Sequence, residues 1–518
     1  MTTAISFEPY LLTPLDHTIP QCYLSYFLSF RLKDPENSLP ALQTGMKCLV
    51  SALPFLAGDL MPSNRLAGKQ RVFEIQPPTT TSLKEIPIFQ VKYHLHCILP
   101  HNSYGESAST PGKLQVANFD ASFSPLSFMH VVSGAQPIFR VQANVMADGV
   151  ILCICTNHIA MDATGTGTVI ETLAGFCRAR LGEPVSVPTT PEDEADSRKR
   201  IFEAIAAPYE RRDHKEEYCP MEILSTLSQK QVAEFFASAA QILTSRDFIF
   251  PSKKIQWLKD TCNALLPQII KRQSHTNGHN NMSQSVNGAT NQWFVSSNDV
   301  LVALLWLCMN RARFPEGRST SKQPSPNTTL IMAVNARQRL HPSLSKAYLG
   351  NAVVSARASY NLEALCAGNS NGNIPEAKTN GIDNGDLLVL TDLAFQIRSK
   401  LAVTDDAHIR SAISWILDCK DWGTILTAYS DSVASNWRHI KVYQSDFGPH
   451  LGRIENFDTS PGMVEGECII KPERTPENLG ARSGKVPWEV QITLKRTQIE
   501  NLGKDKLFSW ASETEKSG

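Results

Sequence analysis

The stretch Thr156-Asn-His-Ile-Ala-Met-Asp-Ala-Thr-Gly165 places an imidazole and a carboxylate, His158 and Asp162, four positions apart at the end of an apolar run. An imidazole with an ordinary pKa near ~6.5 can accept a proton at neutral pH, and a nearby carboxylate can hold the turn that presents it. The pair predicts general-base chemistry on a weakly acidic group such as a hydroxyl. A structural interpretation stays open, because Asp162 could cap a following helix and His158 could be an ordinary strand-end residue.

The elements around this pair explain how it could be positioned. Two β-rich runs, 138–145 and 150–155, flank Ala147-Asp-Gly149, whose Asp-Gly pair predicts a hairpin. Apolar residues at i, i+4, i+7 and i+8 then predict a helix: Val169, Leu173, Phe176 and Cys177. We therefore expect His158 in a polar turn that a buried strand and a helix hold from both sides.

The chain is long and carries no net charge. Its 518 residues, 42% of them hydrophobic, exceed what one compact core holds, so we expect at least two domains with room for a cleft between them. The 50 basic and 50 acidic residues cancel, which favours small-molecule partners over nucleic acid or an anionic membrane. Twelve cysteines without a C-x-x-C pair or zinc-like spacing predict free thiols and no metal site. With no leader or spanning segment recognisable, we expect a soluble, cytoplasmic protein.

Prolines and low-complexity stretches divide the chain. Residues 183–200 contain three prolines followed by a mixed charge run, which predicts an exposed connection between domains. The resulting division has three parts: an N-terminal domain, 1–185, carrying the His158 unit; a crossover linker, 186–215; and a C-terminal domain, 216–518. Two Asn-rich stretches, 275–291 and 367–385, are predicted to be surface insertions.

The C-terminal half offers further candidate residues. Residues 298–313 predict a capped, mostly buried helix, and 328–334 a strand. A second strand-like run spans 439–443. Arg337 and Arg339 follow the first strand; they could be part of a solvated loop, or one could pair with a buried carboxylate such as Asp162, since Arg suits such pairs.

The order of short motifs along the chain resembles that of BAHD-type acyl-CoA-dependent acyltransferases, most closely the fungal enzymes of secondary metabolism that include trichothecene O-acetyltransferases. Each motif is short, but all occur in the family's order across nearly the whole chain. They are Leu12-Thr-Pro-Leu-Asp16, Leu53-Pro-Phe-Leu-Ala-Gly58, the His158/Asp162 unit, Asn298-Asp299 before a Trp-containing helix, Asn335-Ala-Arg-Gln-Arg-Leu340, Tyr348-Leu-Gly-Asn351, Asp446-Phe-Gly448 and Trp488-Glu-Val490.

The resemblance implies an α/β fold of two similar chloramphenicol-acetyltransferase-like domains, each a mixed β-sheet with flanking helices, which meet at a central solvent channel. His158 would lie midway along the channel. Acyl-CoA, by analogy acetyl-CoA, would enter from one face as co-substrate and a small hydroxylated metabolite from the other. The resemblance implies no tightly bound cofactor, no metal and a monomer, and it does not assign the residues that contact CoA.

The resemblance also implies roles for single residues. His158 would be the general base, and Asp162 would support the site by pairing with Arg337, with Arg339 in reserve. Ser435, two residues before Trp437, would donate a hydrogen bond to the oxyanion. Asp446 and Gly448 would form a structural turn away from the reacting centre.

Three departures from the family pattern stand near these residues. Asn157 occupies the position of a second His, Ala163 that of a Gly after the Asp, and Pro449 follows the Asp446-Phe-Gly448 motif in place of Trp. Ala lacks the freedom of Gly at positive φ, so the turn geometry is the point to inspect. Two other functions stay open: a condensation-type enzyme that uses a carrier-protein thioester, and a non-catalytic binding protein on the same fold.

Overall fold

A computed structural model of the protein describes residues 5–99, 121–129, 136–179, 183–206, 208–220, 229–276, 293–314, 326–367, 380–475 and 486–512. Most of the two predicted insertions, residues 277–292 and 368–379, lies outside the described residues. Among the helices that are described, none is long and apolar enough to cross a membrane.

The described residues form runs of strands and of helices along the chain. The strands are β1 (Tyr10–Leu11), β2 (Tyr23–Arg31), β3 (Asp59–Ser63), β4 (Val72–Gln76), β5 (Phe89–His94), β6 (Gln136–Pro137), β7 (Phe139–Met146), β8 (Gly149–Asn157), β9 (Tyr218–Pro220), β10 (Leu243–Phe250), β11 (Asn327–Asn335), β12 (Val353–Asn361), β13 (Ile425–Thr427), β14 (Ser432–Asn436), β15 (Asn456–Thr459), β16 (Glu467–Ile470) and β17 (Trp488–Lys495). The helices are α1 (Leu39–Ala52), α2 (Thr80–Glu85), α3 (Ala163–Arg178), α4 (Pro191–Glu203), α5 (Gln229–Ile242), α6 (Ser252–Thr276), α7 (Ser297–Arg313), α8 (Leu362–Ala367), α9 (Asn384–Val403), α10 (Asp406–Asp418), α11 (Arg496–Leu502) and α12 (Lys506–Ser512).

The first large sheet has the strand order β15-β2-β8-β7-β5 and is mixed, because only β5 and β7 run parallel. Every residue of β8 is buried, which explains why its sequence is apolar without alternation. Met146 pairs with Gly149 across the β7–β8 turn, so the predicted hairpin is confirmed. Helices α1 and α3 pack on this sheet, with Leu42 and Leu173 in one shared core.

The second large sheet has the order β10-β17-β16-β14-β11-β12 and is also mixed, with β11, β14 and β16 parallel. Helix α7 packs beside α9 and is buried along most of its length, as predicted. Its start is a capping box in which Ser296 and Asp299 exchange side-chain hydrogen bonds with each other's backbone N–H.

The two sheet units are interlocked. Strand β15, from late in the chain, pairs antiparallel with β2 on the edge of the first sheet, with Phe457 opposite Leu28. The segment before it contributes Trp437, Tyr443 and Phe447 to the core under the same sheet. The first unit is therefore completed by residues of the C-terminal half.

Part of the predicted exposed connection is a helix with a buried side. Thr190 and Asp193 form a capping box at the start of α4, and Pro191 takes the first helical position, where its missing N–H costs nothing. Glu194 and Arg198 on this helix are buried. The prediction of an exposed connection is wrong for the buried side of α4, because Pro191 begins a helix instead of breaking one.

The predicted strand at 439–443 is also wrong. Strand β14 ends at Asn436, whose side chain accepts a hydrogen bond of 2.8 Å from the Arg438 N–H, and the chain turns there. Ile440 and Tyr443 are apolar because they pack into the core of the first sheet unit.

Candidate active site

His158 lies in the turn between the end of β8 and the start of α3. It is partly exposed, although the residues on either side of it, from Ile151 to Asn157 and from Ile159 to Asp162, are all buried. Its backbone is held on both sides: its N–H donates to the Cys22 carbonyl at 2.7 Å, and its carbonyl accepts from the Asn351 side-chain amide at 3.0 Å. The imidazole is thus presented from a fixed backbone.

The contacts of the imidazole indicate which nitrogen can act. Nδ1 lies 3.4 Å from the carbonyl oxygen of Met161. Since a carbonyl only accepts, Nδ1 carries the proton in this contact, and Nε2 of the neutral ring keeps its lone pair. Burial lowers the pKa of His158, while the Met161 hydrogen bond and the charge of Asp162 oppose that shift. The ring is therefore neutral at pH 7, with Nε2 able to accept a proton.

Asp162 is turned away from the imidazole. Its Oδ1 accepts from the Gly165 N–H at 2.8 Å, which caps α3, and from Arg337 Nη2 at 2.9 Å. Its Oδ2 accepts from Arg337 Nη1 at 2.8 Å and from the Ala352 N–H at 3.1 Å. Both members of this bidentate ion pair are buried. The carboxylate has four protein donors, and none of them is the ring of His158.

The two candidate arginines have different places. Arg337 also donates to the backbone carbonyls of Tyr348 and Gly350 at 2.8 and 2.9 Å, so one guanidinium joins Asp162 to the 348–350 segment. Arg339 donates instead to the carbonyls of Leu401 and Thr404, both at 2.7 Å, at the end of α9. The structure brings the first candidate to Asp162 and leaves the reserve candidate elsewhere.

Two buried residues that sequence reasoning did not assign hold the turn from behind. The Asn351 amide donates to the carbonyls of His158 and Ile159, at 3.0 and 2.9 Å, and to Asp16 Oδ1 at 3.0 Å. Asp16 Oδ2 accepts from the Thr13 N–H and hydroxyl, at 2.6 and 2.8 Å. Asp16 is the last residue of the Leu12–Asp16 motif, and Asn351 is the last residue of the Tyr348–Asn351 motif. Their places in these family motifs were the signal that could have identified them. Four separated motifs therefore meet at the His158 turn.

The start of α3 requires glycine at position 165, and not at position 163, where the family usually has Gly and this chain has Ala. A Cβ at Gly165 would lie 2.0 Å from the Leu349 carbonyl oxygen, so the close approach of this backbone demands Gly. Ala163 is the first residue of α3 and has an ordinary negative φ. The Gly-to-Ala departure therefore imposes no backbone strain.

Ser435 lies on β14 and is partly exposed. Its hydroxyl oxygen accepts from the Trp437 indole N–H at 2.8 Å. Because this bond occupies an oxygen lone pair and not the hydroxyl hydrogen, the O–H remains available as a donor. Nearby, His439 Nε2 and the Thr164 hydroxyl lie 3.0 Å apart, which connects the segment after β14 to the start of α3.

The Asp446-Phe-Gly448 turn lies at the other end of α3. Asp446 Oδ1 accepts from the Gly448 N–H at 2.9 Å, and Gly448 has a φ of +86°. A Cβ there would lie 2.7 Å from the Cα of Arg178, the last residue of α3. A helix of this length spans roughly 24 Å at 1.5 Å per residue, so this turn is remote from His158.

Two cavities among the described residues lie apart from the imidazole. One, of about 520 Å³, is lined by the last turns of α3 from Glu171 onward and by residues between Glu183 and Pro188. The other, of about 460 Å³, is lined by Lys259, Asn298 and Trp488 among others. His158 lines neither of them, so the central channel stays a prediction.

The site therefore combines a neutral base on a partly exposed residue with a turn fixed by a buried ion pair, on a fold of two mixed α/β units. Such an arrangement suits acyl transfer to a weakly acidic acceptor, because the acceptor must lose its proton as it attacks.

Comparison with known proteins agrees with this class. The model of the Transferase family matches residues 115–368, and that of the trichothecene 3-O-acetyltransferase-like N-terminal domain matches residues 22–177. The chain is 34% identical to communesin N16 acyltransferase of Penicillium expansum, covering 99% of this chain and 100% of that protein. It is 32% identical to fumigaclavine B O-acetyltransferase of Aspergillus fumigatus, covering 99% of each.

Solved structures share the fold. TRI101 of F. sporotrichioides, complexed with coenzyme A and T-2, superposes with a TM-score of 0.67 at 18% identity, covering 98% of this chain and 99% of that one. Vinorine synthase superposes with a TM-score of 0.55 at 14% identity, covering 98% and 95%. The chain belongs to the Transferase family and is an acyl-CoA-dependent acyltransferase of the BAHD type. The predicted family, fold class and enzyme class are confirmed.

Proposed function

We propose that this enzyme transfers an acyl group, acetyl in the first instance, from acyl-CoA to a hydroxyl of a small secondary metabolite, with His158 as general base in a ternary complex. One observation carries the proposal: His158 is the one partly exposed residue between Ile151 and Asp162, and the contact of its Nδ1 leaves Nε2 able to accept a proton. An alcohol is too weak an acid to ionise unaided at neutral pH, so the attack depends on such a base.

In this mechanism His158 accepts one proton from the acceptor and later returns it to the leaving group. Nε2 of His158 takes the hydroxyl proton as the acceptor oxygen forms a bond to the thioester carbonyl carbon. The carbonyl oxygen becomes an oxyanion in the tetrahedral intermediate. The carbon–sulfur bond then breaks, the carbonyl re-forms, and the CoA thiolate takes the proton back from the imidazolium. No acyl-enzyme forms, and Asp162 keeps its hydrogen bonds throughout.

Ser435 is the proposed donor to the oxyanion, because its O–H is available while Trp437 fixes its oxygen. A single donor of this kind typically contributes ~10²- to 10³-fold in rate. Arg337, Asp446 and Gly448 are proposed to be structural, Arg337 through Asp162 and the other two through the end of α3.

The acceptor class rests on the relatives. Fumigaclavine B O-acetyltransferase, 32% identical, supports acetyl transfer to a hydroxyl. Communesin N16 acyltransferase, 34% identical, favours an amine acceptor as the second candidate. The same base serves both, since each nucleophile must lose one proton overall.

The decisive experiment is His158→Ala in the full chain, assayed with acetyl-CoA and a panel of hydroxylated and amine-bearing metabolites. We expect the rate at which free CoA thiol is released to fall by ~10²- to 10⁴-fold. The melting temperature should change little, because the ring makes one long hydrogen bond. Ser435→Ala belongs in the same assay, with ~10²- to 10³-fold lost from turnover.

His96→Ala is the matched control, since it removes an exposed imidazole elsewhere and should leave the rate unchanged. Undiminished turnover by His158→Ala would end the general-base proposal. An acylated carrier protein accepted in place of acetyl-CoA would favour a condensation-type enzyme. Wild-type protein that binds CoA without turnover on any acceptor would favour the non-catalytic alternative.

We further propose that residues 1–185 and 216–518 supply most of the two domains, with 186–215 as their linker, although β15 and the segment before it complete the first domain. One chain would suffice as a monomer, because it supplies both units. All twelve cysteines are free thiols, which supports a reducing compartment such as the cytosol. Size-exclusion chromatography with light scattering tests the monomer, and a dimer at assay concentration would contradict it.

A further inference from the structure

A second cluster of ligand-bearing side chains lies outside the site described above. His214, Glu217 and His408 offer one nitrogen or oxygen each, and these atoms lie within 4.8 Å of one another. His214 Nδ1 is 3.7 Å from a Glu217 carboxylate oxygen, and the two imidazole rings have centroids 4.8 Å apart. The absence of a C-x-x-C pair or zinc-like spacing predicted no metal site. His214 and Glu217 are three residues apart, but His408 is distant from both along the chain.

The buried atoms of this cluster lack partners. His214 is 0% exposed and His408 7%. Among the described residues, neither ring nitrogen of His214 has a hydrogen-bond partner, nor does His408 Nε2 or one Glu217 oxygen. Buried polar atoms in native proteins are almost always satisfied, so these unpaired atoms indicate a missing group. One nitrogen of each ring and one Glu217 oxygen lie close enough together to share it.

The backbone holds the three side chains in place. The N–H groups of Glu217 and Tyr218 both donate to the His214 carbonyl, at 3.1 and 2.8 Å, so this stretch is a tight turn. In such a turn residues three apart project from the same side. His408 lies in the first turn of α10, where the Asp405 side chain accepts from its N–H at 2.9 Å.

We propose that His214, Glu217 and His408 bind a divalent transition-metal ion, with zinc the ion that this donor set suits best. Two imidazoles and one carboxylate are a common three-residue zinc set, with water as the fourth ligand. Tetrahedral zinc with bonds of ~2.1 Å spaces its ligands by roughly 3.4 Å. The ligand atoms lie within 4.8 Å of one another, so they must approach each other by up to about 1.4 Å to bind it.

The charge around the cluster permits a cation. Arg212 is close enough to act on both imidazoles, and it pairs with Asp405 at 3.3 Å and with Glu210 at 3.2 Å. Arg339 also acts on His408, and Arg357 and Lys400 act on Glu217. The two carboxylates largely offset the charge of Arg212. The bound ion would fasten the end of the crossover segment to α10 of the second unit, a structural role independent of acyl transfer.

The test uses the full chain, freed of metal by a chelator and then titrated with Co²⁺ and Zn²⁺. Co²⁺ should bind with one equivalent and give visible d–d bands without a thiolate charge-transfer band, because the ligands are nitrogen and oxygen. Zn²⁺ should displace it and raise the melting temperature by mass action. Wild-type protein that stays folded but binds neither ion would overturn the proposal, as would a thiolate spectrum.

Variants locate the ion. His408→Gln and Glu217→Gln should each weaken metal binding by at least ~10-fold, the smaller end of what even indirect ligand support contributes. They should also lose the zinc-induced rise in melting temperature. His96→Gln is the control and should match wild type. Equal binding by all variants would show that the metal lies elsewhere. If a variant fails to fold, the Co²⁺ spectrum of the wild type still tests whether the ligands are nitrogen and oxygen.

Discussion

At the scale of single residues, the two members of the H-x-x-x-D unit differ in their contacts: those of His158 suit a base, and those of Asp162 suit a structural role. His158 has one weak ring contact and a free nitrogen, whereas Asp162 has four donors and is buried. A carboxylate that relayed the proton would contact the imidazole. Asp162 instead fixes the start of α3 and the side chain of Arg337, so its effect on the base is geometric.

The pH dependence of kcat/KM should reflect the neutral imidazole. Burial lowers the pKa of His158 below its ordinary value of 6.5, and a base works only when it is unprotonated. We therefore expect kcat/KM to fall at acidic pH, with the midpoint of that fall below pH 6.5. Initial rates at subsaturating acceptor, measured in constant-ionic-strength buffers, provide the profile. An acidic limb centred above pH 6.5 would contradict this assignment.

Asp162→Asn should lower stability and activity together. Asn caps helices about as well as Asp, so the change removes mainly the ion pair and leaves Arg337 as an uncompensated buried charge. We expect a loss of about 3–5 kcal/mol in the free energy of unfolding, with a matching loss of soluble yield. Urea denaturation measures the first quantity.

Asp405→Asn is the matched control for that variant. Asp405 also caps a helix, α10, but its ion pair with Arg212 is solvent-exposed. Such pairs contribute about 0–1 kcal/mol, so this variant should unfold almost as the wild type does. If Asp162→Asn lost rate at unchanged stability, Asp162 would have a direct chemical role.

At the scale of elements, the turn depends on how closely α3 approaches the 348–351 segment. Gly165→Ala would place a methyl group against the Leu349 carbonyl oxygen, which belongs to the backbone and cannot rotate away. Ala favours helix over Gly by about 1 kcal/mol, yet overpacking costs typically ~1–3 kcal/mol. We expect net destabilisation, seen as a lower melting temperature, and reduced turnover.

Gly175→Ala on the same helix controls for helix propensity. There a Cβ would meet only the Val185 side chain, at 3.1 Å, which can shift. This variant should be neutral or slightly more stable. A Gly165→Ala protein as stable as Gly175→Ala would show that the close backbone contact does not constrain the turn.

Local patterns in the sequence predicted the elements nearest the base. The Asp-Gly hairpin and the helices α3 and α7 follow from turn chemistry and apolar spacing, which depend on neighbours in the chain. Helix α4 was missed because Pro191 was interpreted as a break. The support from Asp16 and Asn351, and the cluster around His214, depend on contacts between distant segments that no local pattern encodes.

At the scale of the whole molecule, the first sheet unit is not a contiguous stretch of chain. Its edge strand β15 and several core residues, Trp437, Tyr443 and Phe447, come from the C-terminal half. A fragment of residues 1–185 would expose the edge of β2 and the apolar surface that these residues cover. Exposed strand edges of this kind promote aggregation.

We therefore expect fragment 1–185 expressed alone to be insoluble or unfolded. Co-expression with fragment 186–518 should recover soluble material, because the second fragment supplies β15 and the missing core residues. Soluble yield and circular dichroism measure both outcomes, with the full chain as reference. A monomeric, cooperatively unfolding 1–185 fragment would show that the unit is self-sufficient.

The late strand β15 also bears on how such enzymes could be recombined. A hybrid that joins the front of one relative to the back of another within 186–215 would combine the first sheet of one parent with an edge strand and core side chains of the other. Functional chimeras should instead take residues 437–459 from the same parent as the N-terminal half, so that the first sheet keeps its own edge strand and core side chains.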